Sequence, residues 1–301
     1  MRHTEERYIS LLTDFGFKRI FGSDINKDLL IDFLNSLFNG EQVVKNVTYL
    51  NSEHVGDVYA ERKAIFDVYC ENEHGEKFIV EMQNAYQTYF KDRSLYYATF
   101  PIREQAPKGD NWNFKLQHVY VVALLNNDMN EEAFSHESIN HDVGLLDKQT
   151  HKVFNDKLTF KYVEIARFNK DINELETNFD KWLYVLRNLS RLDNQPTYLR
   201  NEVFNRLFSQ AEIARFDKKE LKAYEDSLKA YRDIKNSLDT AKEEGRAEGL
   251  AEGLEKGLEK GRAEGASEKA LTIAREMLAL NISVDTIKKV TGLTDNEIHD
   301  L

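Results

Sequence analysis

The stretch that decides the fold reads Ala64-Ile65-Phe66-Asp67-Val68-Tyr69-Cys70, then Glu71-Asn72-Glu73-His74-Gly75-Glu76, then Lys77-Phe78-Ile79-Val80-Glu81-Met82-Gln83. Two runs rich in β-branched and aromatic residues flank a short polar segment, the pattern of a β-hairpin. With its symmetry point near His74, Asp67 and Glu81 are equidistant from the turn and are expected to face each other. The side-chain period of two then puts Gln83 on the same face, and Phe66, Val68, Phe78, Val80 and Met82 on the core-facing one. Directly opposed residues have Cβ atoms roughly 4.5–5.5 Å apart, and like charges at that distance repel. Either one carboxyl takes up a proton or a cation sits between them. Carboxylate oxygens are hard ligands that suit Mg²⁺, which in turn polarises a phosphodiester and acidifies a bound water. The competing reading is an exposed acidic hairpin whose opposed charges are incidental. Against it, Asp and Glu are depleted in strands, and here they interrupt apolar runs at matched positions.

Outward from the hairpin, the first forty residues read as helical. Residues 8–21 carry apolar side chains at three-to-four spacing, and Leu29, Leu30, Phe33, Leu34, Leu37 and Phe38 form a second periodic run closed by Asn39-Gly40. Residues 43–50 read as a strand. Residues 89–105 return to helical spacing, with Pro101 expected to kink or end the helix. Residues 116–125 are nearly all apolar, as expected of a strand buried on both faces. Helix, three strands, helix and strand make a compact α/β module.

Residues 126–157 are polar and read as loop, and residues 158–168 as another strand. Residues 171–239 read as helices, with Trp182, Leu183, Leu186 and Leu189 as a core stripe. Glycine then recurs at every fourth position from Gly245 to Gly265 in a charged setting. Each glycine costs a helix about 1 kcal/mol relative to alanine, while the Ala, Leu, Glu and Lys between them favour it. A four-residue repeat also drifts about 40° per repeat around a helix, so no straight coiled-coil seam results. A solvated linker or marginal helix is the plain reading, and a glycine-lined helix that admits a close partner helix is the sharper one. The tail predicts a helix over 268–280 ended by Asn281, a second begun by Ser283 or Asp285 and stopped near Gly292, and a last turn capped by Thr294-Asp295. Two short helices with a tight turn resemble a helix-turn-helix, although a plain helical hairpin is the expected form.

Hydrophobic residues make up 41% of 301, enough for a sizeable core, and the net charge is −11. That charge argues against a chain that coats nucleic acid by bulk electrostatics, but not against a local basic cleft beside an acidic site. Without an apolar leader or a long apolar run, neither a signal peptide nor a membrane span is expected. The single cysteine, Cys70, fits a reducing cytoplasm and reads as a buried inert thiol. His136, His141 and His151 lack the spacing of a helical zinc site, and no glycine-rich phosphate loop follows a strand.

Residues 13–125 resemble the Rpn-like family of recombination-promoting nucleases and transposases in the PD-(D/E)XK superfamily. The likeness is carried by Thr13-Asp14-Phe15-Gly16-Phe17-Lys18-Arg19-Ile20-Phe21-Gly22, by Phe66-Asp67-Val68, by Val80-Glu81-Met82-Gln83, and by the helix from Arg93 to Tyr97 with its paired tyrosines. The glycine repeat and residues 282–301 are similar to the C-terminal parts of such proteins. The resemblance implies an α/β fold with a restriction-endonuclease-like core, a mixed sheet flanked by helices, over residues 1–170. A helical extension (171–240), the glycine-repeat connector (241–266) and a small helical tail (267–301) follow. It implies a Mg²⁺-dependent DNA endonuclease, with Mn²⁺ as an alternative ion, linked to recombination or mobile elements. Asp67 and Glu81 would be the metal-binding acids and the Met82 carbonyl a further ligand. Gln83 takes the position of the superfamily's usual lysine. Being uncharged, it would orient water rather than act as a base, leaving activation to the metal.

Three positions would support this site. Asp14 is either a third acid or an N-cap, Lys18 contacts phosphate or is solvated, and Arg93 pairs with a phosphate or a site carboxylate. Tyr96 and Tyr97 read as packing residues. DNA is the expected partner, and a homo-oligomer through the C-terminal region is the expected assembly. The competing function is a non-catalytic DNA-binding or assembly protein that keeps the nuclease fold.

Overall fold

The computed structural model describes residues 6–54, 64–106, 112–127, 129 and 131–301. Helix α1 (Asp14–Phe21) is shorter than the apolar spacing from Tyr8 predicts. Residues before it are tied elsewhere: Tyr8 bridges Glu212, and Ile9 N–H donates to the Ala211 carbonyl. Thr13 caps α1 by accepting from Gly16 N–H, at 3.1 Å. A Cβ at Gly16 would lie 2.1 Å from the Ser10 carbonyl oxygen, so only glycine lets the chain fold back this closely. Helix α2 (Lys27–Phe38) buries the whole predicted apolar run and ends where Asn39 and Gly40 take positive φ.

The strands are β1 (Val47–Tyr49), β2 (Glu53–His54), β3 (Ala64–Ile65), β4 (Val68–Asn72), β5 (Lys77–Gln83), β6 (Val119–Leu125), β7 (Asn140–Leu146) and β8 (Val153–Glu164). Six of them form one mixed sheet in the order β1-β4-β5-β6-β8-β7, and β2 pairs with β3 separately. Strands β5, β6 and β8 are mutually parallel at its centre, with antiparallel strands outside. The β5–β6 crossover is helix α3 (Phe90–Glu104), which continues through Pro101 instead of ending there. All seven residues of β6 are buried, which explains the unbroken apolar sequence.

Each face of the sheet is covered. One packs Val68, Cys70, Phe78 and Val80 under α1, α2, α4 (Asn178–Asn188) and α5 (Glu202–Ala211). The other packs Tyr69, Ile79, Val121 and Ala123 under α3. Two expectations fail at the first strand of the hairpin. It does not run unbroken through residues 64–71, since Phe66 and Asp67 separate β3 from β4. Phe66 consequently joins Tyr69 and Ile79 on the α3 face instead of sharing a face with Val68. The turn is also shorter than drawn, because β4 runs to Asn72 and Gly75 makes the corner at φ 76°. Residues 126–157 are not simply loop: they contain β7 and the start of β8.

By backbone contacts the chain forms two units, 1–235 and 236–301. Helix α6 (Lys218–Ala279) runs from the first into the second and takes in the entire glycine repeat as helix. In the second unit α6 ends before Asn281 at φ 55°, and α7 (Val284–Thr291) ends at Gly292 with φ 74°. Thr294 and Glu297 form a capping box for α8 (Asp295–His299). Ala274, Ile287, Leu293 and Ile298 make the small core of this unit. Among the described residues, no helix is long and apolar enough to cross a membrane.

Candidate functional site

The β4–β5 ladder pairs Val68 with Val80 and Tyr69 with Ile79. One step further, that register sets Asp67 opposite Glu81. Side chains join the strands here: Asp67 N–H donates to Glu81 Oε1 at 3.1 Å, and Met82 N–H donates to Asp67 Oδ2 at 2.9 Å. A strand residue projects its N–H and C=O to the same edge, so the Met82 carbonyl lies on the edge of β5 that faces β4. The backbone of Asp67 is freed for this exchange because it lies outside both β3 and β4.

This pair does not sit on an exposed hairpin face. Glu81 is 8% exposed and Gln83 7%, both on the side covered by α3, and the Asp67 side chain is 22% exposed. Burial pushes the Asp67 carboxyl above its ordinary range, while the Met82 N–H and the Lys18 charge pull it back. Burial, and then the charge of Asp67, push Glu81 up to about 8. Without a cation between them, Glu81 therefore holds its proton well above the ordinary carboxylate range.

Two cations flank the acids. Lys18, on α1, lies 2.6 Å from Asp14 Oδ1 and 3.8 Å from Asp67 Oδ1. Burial alone would lower the Lys18 pKa, but the hydrogen bond and charge of Asp14 and the charges of Asp67 and Glu81 raise it on balance. Arg93, on α3, donates to Gln83 Oε1 at 2.6 Å and to Gln87 Oε1 at 2.5 Å. Its guanidinium lies over the rings of Phe90 and Tyr97, at 5.0 and 5.6 Å. Its Nε is buried with no hydrogen-bond partner among the described residues.

The supporting residues thus differ in part from their expected roles. Asp14 is not the N-cap, which is Thr13; it occupies the first turn of α1 and is half of an ion pair with Lys18. Among the described residues, no three His, Cys, Asp or Glu side chains converge as a metal set, and Asp14 reaches the pair through Lys18, which it shares with Asp67. Lys18 is bound by carboxylates rather than left to solvent. Arg93 is held by amide oxygens, and Gln83 is engaged at both ends, because its amide nitrogen donates to the Ala85 carbonyl. A glutamine fixed in this way positions Arg93. Cys70 is buried and its thiol is pushed up to about 12 by burial, as an inert thiol should be. His141 is buried on β7 against Glu164, which Arg167 also holds, so it belongs to a structural cluster.

Gln87 was not singled out in the sequence, nor were Tyr86 and Tyr89, whose rings stand exposed beside Arg93. The density of tyrosine between residues 86 and 97 was the available signal.

The donor set fits a hard divalent cation. It comprises two carboxylates on adjoining strands, each with its pKa raised chiefly by burial, and a backbone carbonyl on the β4-facing edge of β5. A family model described as PD-(D/E)XK nuclease family transposase matches residues 11–241. A second, described as the C-terminal HTH domain of the Rpn/YhgA-like nuclease family, matches residues 267–301, in place of the plain hairpin expected there. No curated protein and no solved structure matches the chain.

Proposed function

Because the chain belongs to the PD-(D/E)XK nuclease family of transposases, we propose that it is a divalent-metal-dependent DNA endonuclease, with Asp67, Glu81 and the Met82 carbonyl holding Mg²⁺ or Mn²⁺. The observation that carries this reading is a buried and a half-buried carboxylate, Glu81 and Asp67, each bonded to a backbone N–H of the other strand, with a lysine and an arginine beside them. When bound, the ion supplies Lewis-acid polarisation of a phosphodiester and an acidified water. The protein's own residues do the rest. Asp67 is kept oriented by the Met82 N–H, and Glu81 gives up its proton when the opposing charge is compensated. Lys18 and Arg93 offer positive charge to the phosphate from two sides, Lys18 as a point charge and Arg93 through a planar fork. Gln83 cannot act as a base near neutrality, and its fixed amide holds Arg93 in place. The C-terminal HTH domain is the natural second contact to DNA, and the transposase description suggests a role in DNA rearrangement.

A non-catalytic DNA-binding reading draws on one specific observation: the site presents the held amide of Gln83 where a lysine is usual. A nicking assay separates the two. Wild-type protein should nick supercoiled DNA with Mg²⁺ or Mn²⁺. Asp67→Ala should lose more than about a hundredfold in rate, beyond the ~10–100-fold cost of removing an outer partner of a metal ligand, with folding and DNA affinity largely kept. Wild-type protein that never cuts supercoiled, linear or single-stranded DNA with either ion would leave the binding reading standing.

A further inference from the structure

Beside the carboxylate pair lies an open cavity of about 740 Å³ lined by Tyr86, Tyr89, Asp92, Arg93, Tyr96 and Tyr97. That volume falls within the ~300–1,000 Å³ typical of clefts that take small organic groups. Three of the tyrosines are well exposed, at 56% for Tyr86, 75% for Tyr89 and 42% for Tyr96. Exposed tyrosine is not unusual singly, but here four rings crowd the start of one helix and the loop before it.

The cavity is joined to the site at two points. Arg93 lines it and also donates to Gln83, which follows Glu81 on the same face of β5. Tyr97 lines it and packs edge-on to Phe66, the residue before Asp67, with ring centroids 5.0 Å apart. Tyr97 is also close enough to feel the charges of Glu81 and Asp67. A nucleotide whose phosphate reached the carboxylates would therefore have its neighbour at this shelf.

We propose that the tyrosine shelf receives unpaired bases on one side of the scissile phosphate, so that the substrate is single-stranded or locally unpaired DNA. The proposal rests on the nuclease reading of the adjoining site. In a duplex the base faces are stacked on one another and only their edges are reachable, so flat aromatic rings have nothing to stack against. An extruded or single-stranded base offers its full π-face to a tyrosine, whatever its identity. Arg93 is suited to the same task, since its plane already lies over two aromatic rings and its charge favours a phosphate. The hydroxyl of tyrosine keeps such a shelf wettable when it is empty.

The test uses full-length protein carrying Asp67→Ala, in EDTA, so that binding is read without cutting. The probe is a labelled mixed-sequence oligonucleotide, either single-stranded or annealed to its complement. Adding Tyr89→Ala should weaken single-strand binding about five- to a hundredfold, as expected for losing one stacked base. Duplex binding, which the C-terminal domain also serves, should change less than about twofold, within the non-additivity ordinary for a single contact. Tyr89→Phe, which keeps the ring, should restore single-strand binding, and Tyr86→Ala should repeat the loss. Equal losses on both probes, or none on either, would overturn the proposal. So would a fall in oligomer mass by light scattering with unchanged single-strand affinity, which would make the shelf an interface between protein copies. The failures are distinguishable: loss of single-strand binding in a wild-type background that never cuts would sink the nuclease reading alone. Vigorous cutting indifferent to Tyr89 would sink the shelf alone.

Discussion

Glu81 is the residue whose ionisation couples the site to the stability of the fold. Its carboxyl is raised to about 8 by burial and by Asp67, from an ordinary value of 4.5. The folded state therefore binds a proton that the unfolded chain has released, and the associated stability is present below pH 4.5 and lost as pH rises through 8. Glu81→Gln removes the titration while its side-chain oxygen can still accept from the Asp67 N–H. Without metal, this variant should melt at a nearly constant temperature where wild type declines between pH 4.5 and 8. At pH 8 it should be more stable than wild type by roughly 2–4 kcal/mol. Mg²⁺ should raise the wild-type melting temperature at pH 8 and leave the variant nearly unmoved. An equal rise in both would place the ion elsewhere. The opposition of these acids was legible from their equal distances to His74, because register in a short hairpin is fixed by its turn. Their burial was not, because it depends on α3 covering a face that the hairpin alone would leave to solvent. Nor was the guanidinium on Gln83, since Arg93 arrives from a helix whose placement no local pattern specifies.

At the scale of elements, the legible ones were those whose own residues carry the signal: α2, β6 and the capped helices of the tail. Strand β7 was hidden because it is an edge strand, mostly exposed on both faces, and its polar residues show no alternation. What fixes it is tertiary, namely pairing with β8 and the buried contact of His141 with Glu164. Helix α6 poses the opposite case, with a sequence balanced between helix and coil. Among the described residues, a Cβ at any of the six glycines from Gly245 to Gly265 would meet nothing within 4 Å. Their cost is therefore purely conformational, and alanine should recover it. Gly253→Ala with Gly257→Ala should add about 1 kcal/mol each to the local helix. Amide exchange across residues 245–265 should slow by about ten- to thirtyfold as a result. Unchanged exchange would mean that something other than helix propensity holds the segment, such as a partner helix seated on the glycines.

The whole molecule divides within α6, and the first turns of that helix belong to the larger unit. Tyr224 is buried there; its hydroxyl accepts from the Ser10 N–H at 3.1 Å and donates to Glu6 at 3.3 Å. Ser227 accepts from the Phe15 N–H at 3.0 Å, at the start of the helix that carries Lys18, and Arg19 pairs with Glu220 at 2.6 Å. The family match to the nuclease part likewise extends to residue 241. A chain ending at Lys235 should therefore melt within a few degrees of full length and keep metal-dependent nicking, while binding duplex DNA more weakly for want of the HTH domain. A chain ending at Asp217 should lose about 3–5 kcal/mol, the scale of deleting one buried aromatic side chain. Its nicking should fall as well, because the support under α1 and Lys18 goes with Tyr224 and Ser227. Circular-dichroism melts and the nicking assay on the two truncations check this. If the longer one melts as poorly as the shorter, the boundary of the nuclease-family unit lies beyond Lys235, and residues past it belong to that unit.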